Sequence, residues 1–209
     1  MTTKTFRTRK ARKGIVGIEA AIVLIAFVIV AAALAFVTLN MGFFTTQKSK
    51  EAMGSSLKEA SSALEVDGSV LGKTNGSALI EVAIPLKLSS GKNPIDLSKT
   101  IVTIRTPTKA VTLTNVNIDY DGADNSDPFT ARGSNAAAFI GYVNDGDKLL
   151  ETNEKWFLVI NLSDSSVLGA GLSPYTSFTV EIKPPTGAPL TVERMVPPNL
   201  SETVIVLEG

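Results

Sequence analysis

Five oxygen-bearing side chains crowd one short stretch: Asn117, Asp119, Asp121, Asp124 and Asp127, set around Gly122. Asn-x-Asp-x-Asp-Gly is how a calcium loop opens, because alternate side chains then converge on one hard cation. The closing glutamate belongs at the twelfth position, where Pro128 stands, so this is not an EF-hand. The cluster reads either as an acidic solvated turn or as a Ca2+ site at a strand end. Beyond it the chemistry is thin. With no cysteine and no histidine, the chain has no thiol nucleophile, no Ser–His dyad and no soft metal site. Gly68-Ser69-Val70-Leu71-Gly72-Lys73-Thr74 has the outline of a phosphate loop, but three residues separate the glycines where four are needed. No enzyme is expected, and no cofactor is required. Three sequons, at Asn75, Asn161 and Asn199, are candidate N-glycosylation sites near predicted strand ends.

The elements that carry these residues divide sharply. Met1–Gly14 holds six basic residues and no acid; the remaining residues carry 14 basic against 20 acidic side chains. The body of the chain is thus acidic, which argues against nucleic acid as a partner. Ala20–Val37 is an unbroken run of 18 apolar residues, and Ala20–Met41 contains no charge. Such a run is long enough to span a membrane, and being apolar all round it must be enclosed by lipid or protein. Met53, Leu57, Ala60 and Leu64 continue it as a single stripe, predicting a helix that ends near Glu65.

From Ser77 the period changes to two. Strands are predicted at Ala78–Leu88, Thr100–Thr106, Val111–Tyr120, Ala137–Val143, Lys155–Leu162, Ser177–Lys183, Leu190–Val196 and Thr203–Leu207, separated by Gly, Pro and Asn turns. The class is α+β: a long N-terminal hydrophobic helix, then an antiparallel β-sandwich or barrel of immunoglobulin-like type. The expected division is a basic leader at 1–14, a helix at 15–65 and a β domain at 66–209.

Three fates fit the apolar segment. A cleaved secretory signal would be cut near Ala31-Ala32-Ala33 or Ala33-Leu34-Ala35, yet apolar residues continue past both. A permanent anchor, as in a membrane-bound surface binding protein, explains the basic leader but leaves Glu19 unpaired near the helix start. The third is a cut before the segment. Arg12-Lys13-Gly14, followed by Ile15-Val16-Gly17-Ile18-Glu19, resembles the processing site of type IV pilin-like precursors. Asn40-Met41-Gly42-Phe43-Phe44-Thr45-Thr46-Gln47-Lys48-Ser49-Lys50-Glu51 and Ala60–Ser69 are similar to archaeal flagellins (archaellins).

The resemblance implies a type III signal peptide cut after Gly14 by a prepilin-type (preflagellin) peptidase. It implies that Ile15 begins the mature chain and that Glu19 is its acidic fifth residue. It further implies an extracellular helical homopolymer for swimming on the cell surface, reached through transient residence in the membrane. A membrane platform and motor ATPase would be the partners. An adhesive type IV-like pilin is the alternative within the same export class.

Overall fold

The computed structural model describes residues 13–89, 93–113, 116–119 and 127–208. It divides at Gly54/Ser55 into two compact units. One helix, α1 (Lys13–Ser61), runs through the first and into the second. Gly42 and Gly54 do not interrupt it. It stops at Ser61, four residues short of the expected end at Glu65. The Lys58 carbonyl there accepts from the Ser62 N–H at 3.0 Å and from its hydroxyl at 2.7 Å, which closes the last turn. Leu64–Val66 is instead strand β1. Leu64 and Val66, alternating with Glu65, have the two-residue period of a strand, and Leu64 is buried in the β core.

β1 lies against β3 (Leu79–Leu88) with Leu64 opposite Leu88 and Val66 opposite Leu86. The larger sheet also contains β2 (Val70–Thr74), β7 (Asn117–Asp119), β8 (Ala137–Val143), β10 (Lys155–Asn161) and β13 (Val204–Leu207), in the order β13-β2-β3-β10-β8-β7. The second sheet is formed by β5 (Ile101–Arg105), β6 (Ala110–Leu113), β11 (Ser177–Lys183) and β12 (Leu190–Met195), in the order β12-β11-β5-β6. A ribbon of β4 (Ile95–Asp96) and β9 (Leu149–Leu150) completes the strands described. Among the described residues the named strands pair antiparallel except β7 with β8.

The expected sandwich is therefore present, and its core is built by alternation. Val82, Ile84, Leu158, Ile160 and Phe139 from the larger sheet meet Val102, Ile104, Phe178, Val180 and Ile182 from the smaller. The sequence Val111–Tyr120, expected as one strand, is two: β6 in one sheet and β7 in the other. The larger sheet is buried on its second face too. There Ala83, Ala138, Ile140 and Val159 pack under Phe129 of the short helix α2 (Pro128–Ala131). Arg132 and Glu81 form an ion pair on this face at 3.1 Å, both about nine-tenths buried.

Candidate assembly site

The most unusual surface in the molecule is α1 itself. Gly17–Ser61 has a segment of mean hydropathy 3.1, and none of it is buried. Sixteen large apolar side chains between Ile18 and Phe44 are exposed, from Val37 at 54% to Phe27 at 77%. They lie on every side of the helix, so no single neighbour within the chain could cover them. At roughly 1.5 kcal/mol per buried side chain their burial is worth some 20 kcal/mol, well above the roughly 4–15 kcal/mol that association costs. Lipid or further copies of the helix would supply that burial equally well.

The polar groups on this helix suit such an environment. Thr38, Thr45 and Thr46 donate their hydroxyls to the carbonyls of Leu34, Met41 and Gly42, each at 2.8 Å. No hydroxyl proton is left unpaired when the surface is enclosed. Glu19 is exposed and is the sole charge from Gly17 to Gln47. Lys13, Gly14 and Ile15 lie in the first turn of α1, and Arg12 lies outside the described residues. Beyond Gln47 the helix becomes polar, with Lys48 and Glu51 paired at 2.7 Å on a surface open to water.

The three sequon asparagines share one local geometry. Asn75 accepts the Ser77 N–H at 3.0 Å, Asn161 the Ser163 N–H at 3.1 Å and Asn199 the Ser201 N–H at 3.1 Å. Each side-chain oxygen is thus turned into its own backbone two residues on, as in an Asx turn. Asn75 and Asn199 are exposed in turns, whereas Asn161 is half-buried at the end of β10.

The acidic cluster is distributed over different elements. Asn117 and Asp119 lie on β7. Asp127 caps α2, accepting the Phe129 N–H at 3.0 Å and the Thr130 hydroxyl at 2.8 Å, which gives both its oxygens a structural role. Asp121 and Asp124 lie outside the described residues. Among the described residues no three acidic, histidine or cysteine side chains converge on one point. The phosphate-loop look-alike is β2, with Lys73 Nζ over the Phe129 ring at 5.7 Å.

One arrangement has no sequence signal. Glu81 and Arg132 are 51 residues apart, and nothing in their spacing announces a buried pair. Arg132 also donates to the Asn135 carbonyl, and so ties the α2 segment to the sheet.

Comparison with known proteins gives a consistent picture. Residues 14–194 match the family model for archaeal-type flagellin. Probable flagellin 1 of Aeropyrum pernix is 48% identical over 200 residues, covering 91% of this chain and 95% of its own. Probable flagellin 2 of Archaeoglobus fulgidus is 36% identical over 211 residues, covering 96% and 97%. Among solved structures, the archaeal flagellum of Methanospirillum hungatei superposes with a TM-score of 0.66 at 30% identity, over 90% of this chain and 98% of that one. The archaeal flagellin FlaB1 of Methanocaldococcus jannaschii, at 18% identity and a TM-score of 0.63, shares the fold over 70% of this chain and 96% of its own.

Proposed function

Given that this chain belongs to the archaeal-type flagellin family, and is a structural subunit of the archaellum filament on the cell surface, we infer how its N-terminal helix is used in two successive environments. The chain is made with the basic leader Met1–Gly14, whose positive charge holds the start of the apolar segment at the inner membrane face. A prepilin-type peptidase cuts after Gly14, removing six positive charges at once. The helix then leaves lipid and packs among copies of itself in the filament core.

The observation that carries this reading is the continuous exposure of apolar side chains around α1, from Ile18 to Phe44. Such a surface is stable in lipid, and equally stable among like helices, but not in water. Transfer between the two costs little hydrophobic energy, since both are apolar. The new Ile15 amine is cationic and lies at the positive end of the helix dipole, which alone is unfavourable. Glu19 offsets this by pairing with the Ile15 amine of a neighbouring subunit, so that neither charge is buried alone. Because a misplaced subunit would leave Glu19 unpaired, the pair also selects one axial register.

The sandwich then forms the outer layer, with Asn75, Asn161 and Asn199 as attachment points for sugars that solubilise it. The export platform and the motor ATPase that assemble and turn the filament are separate proteins. The test is N-terminal sequencing of filaments sheared from cells, with electron microscopy of the same fraction. Ile15 as the first residue is expected. Met1 retained in the filaments, or a start beyond Ala33, would overturn the reading.

A further inference from the structure

β13 is an edge strand of unusual composition. Its residues are Val204-Ile205-Val206-Leu207, with Ile205 and Leu207 buried in the core and Val204 and Val206 exposed at 44% and 52%. The Thr74 N–H donates to the Thr203 carbonyl at 2.9 Å, and Val204 stands opposite Lys73. In an antiparallel pair hydrogen-bonded positions alternate, so the N–H and C=O groups of Val204 and Val206 point away from β2. Among the described residues no strand pairs with that side.

Three other edge strands among those described carry charge. β1, β7 and β12 each contain charge, as Glu65, Asp119, and Glu193 with Arg194. β6 turns only Ala110 and Thr112 outward. Charge is a usual means of blunting an edge, and β13 has none within the strand.

A second edge without a paired strand among the described residues lies across the same sheet. Among the described residues β7 covers β8 only at Ala138–Ile140, and the end of β8 runs on past that pairing. Tyr142 and Val143 there are exposed at 46% and 47%, with Tyr142 edge-on to Phe157 at 5.9 Å. β13 and β8 are separated by β2, β3 and β10, so the two apolar edges are about 19 Å apart at ~4.8 Å per strand. Two different patches on opposite sides of one domain can join copies head to tail, and such a contact makes an open helical filament where the rotation between copies does not close.

We propose that the open edge of β13 in one subunit packs against the Tyr142–Val143 end of β8 in the next, joining the outer domains into continuous strands along the filament. The partner is a second copy of this chain, and the proposal rests on the filament function stated above. Backbone groups of Val204 and Val206 pair with those of the neighbour's β8 end, while the valines cover Tyr142 and Val143. The core helices and the outer domains are then two independent bonding systems in one polymer.

The chain has no cysteine, so engineered thiols report without background. Val206→Cys, Tyr142→Cys and the double variant are assembled into filaments, oxidised mildly, and run on denaturing gels. A ladder of covalent multimers from the double variant alone is expected. Multimers from either single variant, which would mean a symmetric contact, or no ladder from filaments intact by microscopy, would overturn the proposal. If the double variant does not assemble, maleimide labelling of Val206→Cys filaments decides. Labelling about tenfold slower than in the detergent-dissociated chain supports the contact, and equal rates refute it. Absence of filaments in the unmodified protein would instead count against the filament function itself.

Discussion

Gly187 is where one added methyl group should do most damage. The residue has φ +105°, and a Cβ built on it would stand 1.9 Å from the Ser62 carbonyl oxygen and 2.8 Å from its carbon. An ordinary carbon–oxygen contact is about 3.3 Å, so the β11–β12 turn would have to retreat by about 1.4 Å. The nearest Ser62 atoms are backbone, and a Cβ is fixed by its own backbone, so neither side can rotate away. The retreat breaks the parallel bridge between Ala63 and Ala188 and uncovers Ser62, which is 1% exposed. Strain from the left-handed backbone adds about 1–3 kcal/mol. Loss of the bridge and its packing adds a further ~2 kcal/mol. Gly187→Ala should therefore cost about 3–5 kcal/mol and lower the melting temperature of the β domain by about 10 °C.

Gly76→Ala is the matched control, because Gly76 has φ +86° and nothing within 4 Å of its Cβ position. It carries the strain without the clash. The assay is thermal unfolding followed by the fluorescence of Trp156, the single tryptophan, which is fully buried in the core. If the two variants melt within about 0.5 kcal/mol of each other, the clash at Ser62 is not the cause and the reasoning fails.

Three further outcomes follow from the same structure. Phe27→Asp places a charge on a side chain exposed at 77% and destined for an apolar bundle, so filaments should disappear under the electron microscope. The Trp156 melt of the chain's β domain should not move, since Phe27 lies in the other compact unit. Arg132→Met leaves Glu81 buried without its partner and should cost about 3–5 kcal/mol in denaturant unfolding. The double variant Glu81→Met/Arg132→Met removes both charges and should regain most of that loss; if it is no better than the single, an unpaired charge is not the cause. Lys155 and Lys87, both hydrogen-bonded to Asp67, hold its carboxyl below the ordinary carboxylate range. A depressed carboxylate stabilises fully above its unfolded value, about pH 4, and the gain is lost as pH falls through the folded value. The melting advantage of wild type over Asp67→Asn should thus be present at neutral pH and vanish in strong acid.

Much of this organisation was legible in the residues. Ala137–Val143 and Ser177–Lys183 are strands with the bounds expected, because each is bracketed by clear turns; Ser177–Lys183 alternates against one buried face, whereas Ala137–Ile140 is buried on both. Leu64 fits both a helical stripe and a strand, so local pattern leaves the helix end open between Ser61 and Glu65. Pairing with Leu88, a tertiary event 24 residues away, decides between them. β2 is hidden in the sequence for a related reason: Gly72 looks like a turn residue, yet it sits mid-strand. A Cβ there would be 2.5 Å from Leu79 Cδ1, so glycine gives the core room for its neighbours.

The candidate site divides in the same way. Composition alone determined that α1 must be enclosed, because a helix apolar on all sides has no stable state in water. The charge step at Gly14 and the isolated acid Glu19 are likewise properties of chain order, independent of packing. The folded domain decided what no local pattern encodes. It buried Glu81 against Arg132, used Asp127 as a helix cap, and left Val204 and Val206 on an open edge while protecting other edges with charge. Periodicity reports which face of an element is apolar. Which neighbour covers that face, and which edge is left without one, depends on residues brought together from distant parts of the chain.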